Sequence, residues 1–309
     1  MGHYPQERAM TAETWRGILP IVATPFTESY ALDEDGLRRL VSFCIEAGAT
    51  GLVGPANASE FSTLSDDERK CWLEIVIDAA GGQVPVIASI TSGHVVPAVD
   101  LARFSQQAGA DAIMSMPPHV LRVDQGGCYD FYRDLSAAVD IPICVQNFDA
   151  PVGTPMSGEL LGRMCRELEG IDYIKEETAP EPSQVSRTLA VAGDSCKGVL
   201  GGKGGIFLLD EYRRGACGNM PGCHTTDVLV SIWDELEAGN EHQARKLFYQ
   251  LLPLMNYERL YGVAVYKLIL QRRGLIGSAI CRAPTHALDA DAMRELDIIL
   301  ASVESLFRV

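Results

Sequence analysis

From residue 18 to residue 218 the chain alternates short apolar runs with longer amphipathic ones, and this rhythm narrows the possible folds more than any other feature of the sequence. The strand-like runs fall at 18–24, 52–53, 84–89, 112–116, 141–146, 173–175, 196–200 and 216–218. Runs with helical spacing lie between them. Asp33 precedes Leu37, Leu40, Val41, Cys44 and Ile45, and Ala47-Gly48 ends that helix. Ser65-Asp-Asp-Glu68 has the form of a capping box and opens a helix toward Ile77. Further helices are expected at 96–108, closed by Gly109, and at 128–138, 157–167, 182–192 and 206–213. Strands linked by helices in this way require right-handed crossovers, and so a parallel sheet with helices outside it. Eight such units fit a closed α/β barrel, a (β/α)8 TIM barrel, better than a doubly wound sheet.

Beyond residue 224 the strands stop, and 228–238, 241–252, 258–273 and 289–306 all read as helices. The expected organisation is a loose leader at 1–14, a barrel at 15–224 and a helical segment at 225–309 packed on it. With 309 residues the chain is long enough to bury a substantial core. A net charge of -15 argues against nucleic acid and anionic membranes as partners, but leaves small anionic substrates open, because a local site can be positive within an acidic protein. No apolar run reaches membrane-spanning length. The nine cysteines are scattered through apolar contexts without a C-x-x-C pair, which fits reduced thiols in a cytoplasmic protein better than a disulfide framework or a zinc site.

Lys175 organises the chemistry. The run Ile171-Asp-Tyr-Ile174 ends at this lysine, and Glu176, Glu177, Thr178 and turn-forming residues follow. If the run is a barrel strand, Lys175 sits at its inner, C-terminal end. Desolvation there favours the neutral amine, a nucleophile toward ketones, whereas the two flanking carboxylates favour the ammonium form. The plainer alternative is a surface lysine in an acidic loop. Lys203 is a rival amine, but its glycine-rich surroundings at 198–205 offer little desolvation. That run lacks the spacing of a nucleotide-binding loop and reads as the seventh βα turn, where glycines such as Gly201 let the backbone approach a substrate. The histidines show no metal-ligand spacing.

Residues 17–26, Asn57-Ala-Ser-Glu60 with Leu64, and Tyr173-Ile-Lys-Glu-Glu177 together resemble the dihydrodipicolinate synthase/N-acetylneuraminate lyase family, over roughly residues 15–305. The resemblance implies a barrel with a C-terminal helical extension, a homo-oligomer (tetramer or dimer), and a Schiff base between Lys175 and the keto carbon of a 2-oxo acid, with no cofactor and no metal. The departures are informative. Where most members carry Gly-Thr-Thr-Gly-Glu, this chain has Ala56-Asn57-Ala58-Ser59-Glu60, and where they carry Tyr-Asn after strand five it has Gln146-Asn147. The usual Pro-Tyr-Tyr is Pro117-Pro118-His119, and Gly153, before Thr154, stands near the place of the arginine of the lysine-pathway synthase. Condensation of pyruvate with aspartate semialdehyde and ordinary sialic-acid cleavage are both put in doubt. Gln146, Lys175-x-Glu177-Thr178 and Leu252-Pro-Leu-Met-Asn-Tyr-Glu258 look like the branch that dehydrates 2-keto-3-deoxy-L-arabonate to 2,5-dioxopentanoate, a step of L-arabinose catabolism.

The expected site therefore has Lys175 as nucleophile and Glu177 as acid/base, on one face if the strand continues. Asn57, Ser59, Gln146, Asn147, Thr154, His119 and Gly201 are expected to bind substrate, and Pro151, Thr154 and Pro155 to shape a lid. Each has a plainer role to be weighed. Glu177 can be a rim salt bridge, Gln146 a packing amide, Asn57 or Ser59 a loop cap, and His94 and His119 polar loop residues. Tyr257-Glu258-Arg259 reads as helix packing or subunit structure, with contact to the pocket as the lesser alternative. Two other functions stay open: a lyase releasing pyruvate from the same class of acid, and a non-catalytic sugar-acid-binding barrel.

Overall fold

In the computed structural model, which describes residues 15–149, 152–283 and 287–309, the apolar runs pair into one eight-stranded parallel sheet. The expected leader at 1–14 and Pro151 lie outside the described residues. The strands are β1 (Gly17–Ile18), β2 (Leu52–Gly54), β3 (Val86–Ser89), β4 (Ala112–Ser115), β5 (Ile143–Phe148), β6 (Ile171–Glu177), β7 (Gly198–Gly201) and β8 (Gly218–Asn219). They stand in the order β1-β8-β7-β6-β5-β4-β3-β2, and the two ends of that order meet. Ile21 bridges both Val53 and Gly222 in parallel, and the Val22 N–H donates to the Val53 carbonyl at 3.0 Å. The sheet is thus closed into a distorted TIM barrel, as the count of βα units led one to expect. β1 is shorter than the expected 18–24 because Pro20 has no N–H to carry the ladder, although the Leu19 N–H still donates to the Asn219 carbonyl and the Pro20 carbonyl accepts from the Val53 N–H.

Helices α1 (Glu34–Glu46), α2 (Asp66–Ala80), α3 (Val95–Ala108), α4 (Gln125–Ser136), α5 (Gly158–Glu167), α6 (Glu181–Ala192) and α7 (Leu208–Arg213) follow the first seven strands. The starts of α1 to α5 are set by side chains that accept from free backbone N–H groups. Asp33 caps α1, Ser65 and Glu68 form the expected capping box of α2, and Asp124 starts α4 three residues earlier than the apolar pattern alone suggests. The strands bury Leu19, Val53, Ile87, Met114, Cys144, Tyr173 and Leu200 inside the barrel, and their other faces pack against the helices.

α8 (Thr226–Glu237), α9 (Glu241–Tyr261), α10 (Val263–Arg272) and α11 (Ala290–Val303) form the C-terminal helical part, with a second apolar core of their own. One expected boundary is corrected here. The apolar pattern ended one helix at Leu252 and began the next at Glu258, yet α9 runs on through Pro253 to Tyr261. Leu251, Leu254, Met255 and Tyr257 are all buried against the second core, and this packing offsets the one backbone bond that proline removes. The chain breaks instead at Gly262, whose φ of +57° and ψ of -134° disfavour a residue with a side chain. α10 therefore starts at a new angle over the C-terminal end of the barrel. It is anchored there by Lys267, whose buried ammonium lies 2.5 Å from Glu60 in the loop after β2.

Candidate active site

β5 and β6 place the reactive groups. Gln146 stands beside Lys175, Asn147 beside Glu176, and Phe148 beside Glu177. Because successive strand residues point to opposite faces, Gln146, Phe148, Lys175 and Glu177 share the inner face and Asn147 and Glu176 the outer one. β6 extends two residues beyond the expected 173–175, so Glu177 remains in register with the lysine. The two line a cavity of about 600 Å³ at the mouth of the barrel, together with Asn57, Phe148, Arg259 and Tyr266. Tyr173 lies one step deeper on the same face, with its ring stacked on Trp15 at 3.9 Å.

Lys175 is 4% exposed, and its Nζ lies 3.1 Å from Glu177 Oε2. Two further donors fix that carboxylate: Gln146 Nε2 to Oε2 at 2.7 Å and the Lys203 N–H to Oε1 at 2.9 Å. The second contact depends on Gly202, where a Cβ would fall 2.3 Å from Glu177 Oε1. Gln146 thus reaches the site through Glu177, in keeping with an amide that can donate but not take up a proton.

Glu176 remains on the strand and is buried on the outer face. Its carboxylate accepts from Asn147 Nδ2 at 3.0 Å and from the Thr178 N–H at 2.9 Å. Burial raises its proton affinity above the ordinary value, although Thr178 and Asn147 oppose that shift. Behind β7, Glu211 accepts from Asn219 Nδ2 at 2.8 Å, and its carboxyl is pushed up to about 8, first by burial and then by the charge on Glu177.

Lys203, the rival amine, also lines the cavity, but its Nζ is held by Glu181 at 2.5 Å and Asp149 at 3.2 Å. Burial works against its charge, yet these carboxylates outweigh burial and hold the amine above its usual value. That favours the ammonium form, so Lys203 is the poorer nucleophile.

Several residues expected at the site are directed elsewhere. Asn147 spends its amide on Glu176 and on the Met156 backbone. Ser59 Oγ donates to the Val22 carbonyl at 2.6 Å and accepts from the Ala56 N–H at 3.1 Å, so it caps the loop. Thr154 Oγ1 donates to the Pro118 carbonyl at 2.6 Å, tying the loop after β5 to the loop after β4. His119 packs its ring on Phe61 at 5.7 Å, and burial lowers its proton affinity. A Cβ on Gly201 would strike Glu211 and Asn219, so this glycine serves packing behind β7. Asn57 stays at the cavity.

The C-terminal part supplies further cavity residues, one of them, Tyr266, not among those expected. Arg259, read as helix packing, lines the cavity from the last turn of α9, and Tyr266 lines it from the first turns of α10. Glu258 is buried and bonds His224 Nε2 at 2.8 Å. The signal for this arrangement was Gly262, a glycine inside the helical run expected at 258–273. Among the described residues no group of three or more His, Cys, Asp or Glu side chains could hold a metal ion, and no helix is long and apolar enough to cross a membrane.

Comparisons place these features among known proteins. The model of the dihydrodipicolinate synthetase family matches residues 14–303. The chain is 35% identical over 298 residues to the L-2-keto-3-deoxyarabonate dehydratase of Azospirillum brasilense, covering 94% of this chain and 95% of that protein. It is 32% identical over 247 residues to the 4-hydroxy-tetrahydrodipicolinate synthase of Methanothrix thermoacetophila, covering 78% and 81% of the two. The crystal structure of dihydrodipicolinate synthase from Rhodopseudomonas palustris superposes with a TM-score of 0.87 at 28% identity, covering 93% of this chain and 97% of that one.

Proposed function

The chain belongs to the dihydrodipicolinate synthetase family, and on that premise we propose that it is a Schiff-base dehydratase that converts 2-keto-3-deoxy-L-arabonate, or a similar 2-keto-3-deoxy sugar acid, to 2,5-dioxopentanoate and water. The observation that carries this reading is the fixed contact between Lys175 Nζ and Glu177 Oε2 at 3.1 Å, with Gln146 at the strand-five position where most family members have a tyrosine. The similarity to the Azospirillum dehydratase supports the same choice of substrate.

The chemistry follows from the pair. The Lys175 amine attacks C2 of the substrate, and loss of water leaves an iminium into which electrons at C3 can flow. Glu177 lies beside the amine on the same face and removes a C3 proton. The resulting enamine expels the C4 hydroxyl, leaving a C3–C4 double bond conjugated to the iminium. Loss of a C5 proton and of the C5 hydroxyl proton, with return of protons to C3 and C4, converts the hydroxymethyl end to an aldehyde. Hydrolysis of the imine then frees Lys175. The cavity volume of about 600 Å³ suits an acid of this size.

Retro-aldol cleavage needs a base on the C4 hydroxyl instead. Gln146 cannot act as that base, which favours loss of water over cleavage of the C3–C4 bond. The test is to incubate the protein with a panel of 2-keto-3-deoxy acids and measure pyruvate and aldehyde-bearing 2-oxo acids separately. The expected product from the pentonate keeps all its carbons. Stoichiometric pyruvate with a two-carbon aldehyde would replace this reading with a lyase, and saturable binding without turnover would replace it with a binding protein.

A further inference from the structure

The dehydration requires stabilisation of charge on the departing C4 oxygen, and Lys175, Glu177 and Gln146 leave that task open. Lys175 is engaged in the imine, Glu177 supplies only the proton it took from C3, and Gln146 donates to Glu177. Among the described residues that line the cavity, Tyr266 is the one with a hydroxyl to donate. Its ring is stacked on His224 at 4.3 Å with an interplanar angle of 15°, and Glu258 holds His224 in turn. Gly222 leaves room for this stack, since a Cβ there would lie 2.9 Å from the His224 ring and 3.6 Å from Tyr266 Cδ2. The break at Gly262 turns the first turns of α10 toward the cavity, so that Gly262, Val263 and Tyr266 all line it. Among the described residues the Tyr266 hydroxyl has no hydrogen-bond partner, while its ring is fixed from behind.

Resting on the dehydratase reading, we propose that the Tyr266 hydroxyl donates a hydrogen bond to the C4 oxygen of the substrate as it leaves. Glu177 takes the C3 proton, and the C3–H electrons form the enamine. The C4–O bond then breaks with its electrons on oxygen, and protonated Glu177 returns its proton to that oxygen, which departs as water. The phenol keeps its own proton throughout and carries part of the developing charge through the hydrogen bond. Burial first, and then the charges on Glu258 and Glu177, hold the phenol well above its ordinary value. A neutral donor that does not ionise suits this task, and it is a poor base for retro-aldol cleavage.

The test compares wild type with Tyr266→Phe, which keeps the ring and its stack on His224, using 2-keto-3-deoxy-L-arabonate. The expected result is a fall in kcat of about 10²-fold, the scale of losing one such donor. KM, borohydride trapping at Lys175 and exchange of C3 hydrogens with deuterated solvent should stay near wild type. The 4-chloro analogue, whose leaving group is a stable anion that needs little hydrogen-bond support, should be turned over by both proteins at similar rates. An unchanged kcat for the natural substrate would overturn the proposal. So would loss of trapping with a raised KM, which would make the phenol a carboxylate anchor. Equal slowing of water and chloride loss would assign Tyr266 a merely structural part. If wild type itself releases pyruvate, the dehydratase reading fails and the proposal falls with it. If wild type dehydrates and Tyr266→Phe does so equally well, only the proposal fails.

Discussion

Glu177 holds the reactive end of the barrel together at the scale of single residues. Its carboxylate touches Lys175 Nζ and is fixed by Gln146 and by the Lys203 N–H, so its position is set by the protein alone. Glu177→Gln keeps the size and loses the base. The variant should still form a borohydride-reducible imine but lose dehydration by roughly 10²-fold or more, the scale of a positioned acid/base. Unchanged turnover would remove Glu177 from the reaction. The spacing of Lys175 and Glu177 was legible in the sequence because strand periodicity puts residues two apart on one face. The same periodicity, applied to the right strand ends, separates Gln146 from Asn147. Ser59 and Thr154 were not legible, because a hydroxyl near a strand end serves a backbone carbonyl as readily as a substrate, and only the folded loop decides between them.

At the scale of elements, the site depends on how α10 meets the loop after β2. Lys267 reaches Glu60 at 2.5 Å with both side chains fully buried, and the N–H groups of Arg282 and Ala283 donate to the other Glu60 oxygen at 2.7 and 2.6 Å. Burial lowers the proton affinity of Lys267, while Glu60 opposes that shift. Replacing Lys267 with Met leaves a buried carboxylate without its cation. The expected cost is about 3–5 kcal/mol of stability, read as a lower denaturation midpoint. A midpoint within error of wild type would show that the pair does not anchor the helix. The eight βα units were readable from apolar periodicity, because each strand and helix buries one continuous face. The course of α9 was not. Pro253 carries a strong local signal, but tertiary packing of the flanking apolar residues overrides it, and the true break falls at Gly262. Arg259 and Tyr266 reach the cavity only because of that displacement, which hid Tyr266 from the sequence pattern.

For the whole molecule, closing the barrel buries several carboxylates near one another, and this ties stability to pH. Glu211 has a folded-state value of about 8 against an ordinary 4.5, so the folded chain holds a proton that the unfolded chain gives up. Its contribution is complete below about 4.5 and is lost as pH rises through about 8. Glu211→Gln should flatten the decline of stability with pH across this window, measured as the difference from wild type in denaturant midpoints. Parallel curves for the two proteins would contradict that assignment. The proposed reaction turns on a lysine imine at the inner end of β6 and loss of water with the carbon chain intact. The most direct measurement is peptide mass mapping after borohydride reduction in the presence of 2-keto-3-deoxy-L-arabonate. The expected result is an adduct on Lys175 that retains all five substrate carbons. A three-carbon adduct on Lys175, an adduct on Lys203, or no adduct at all would contradict it.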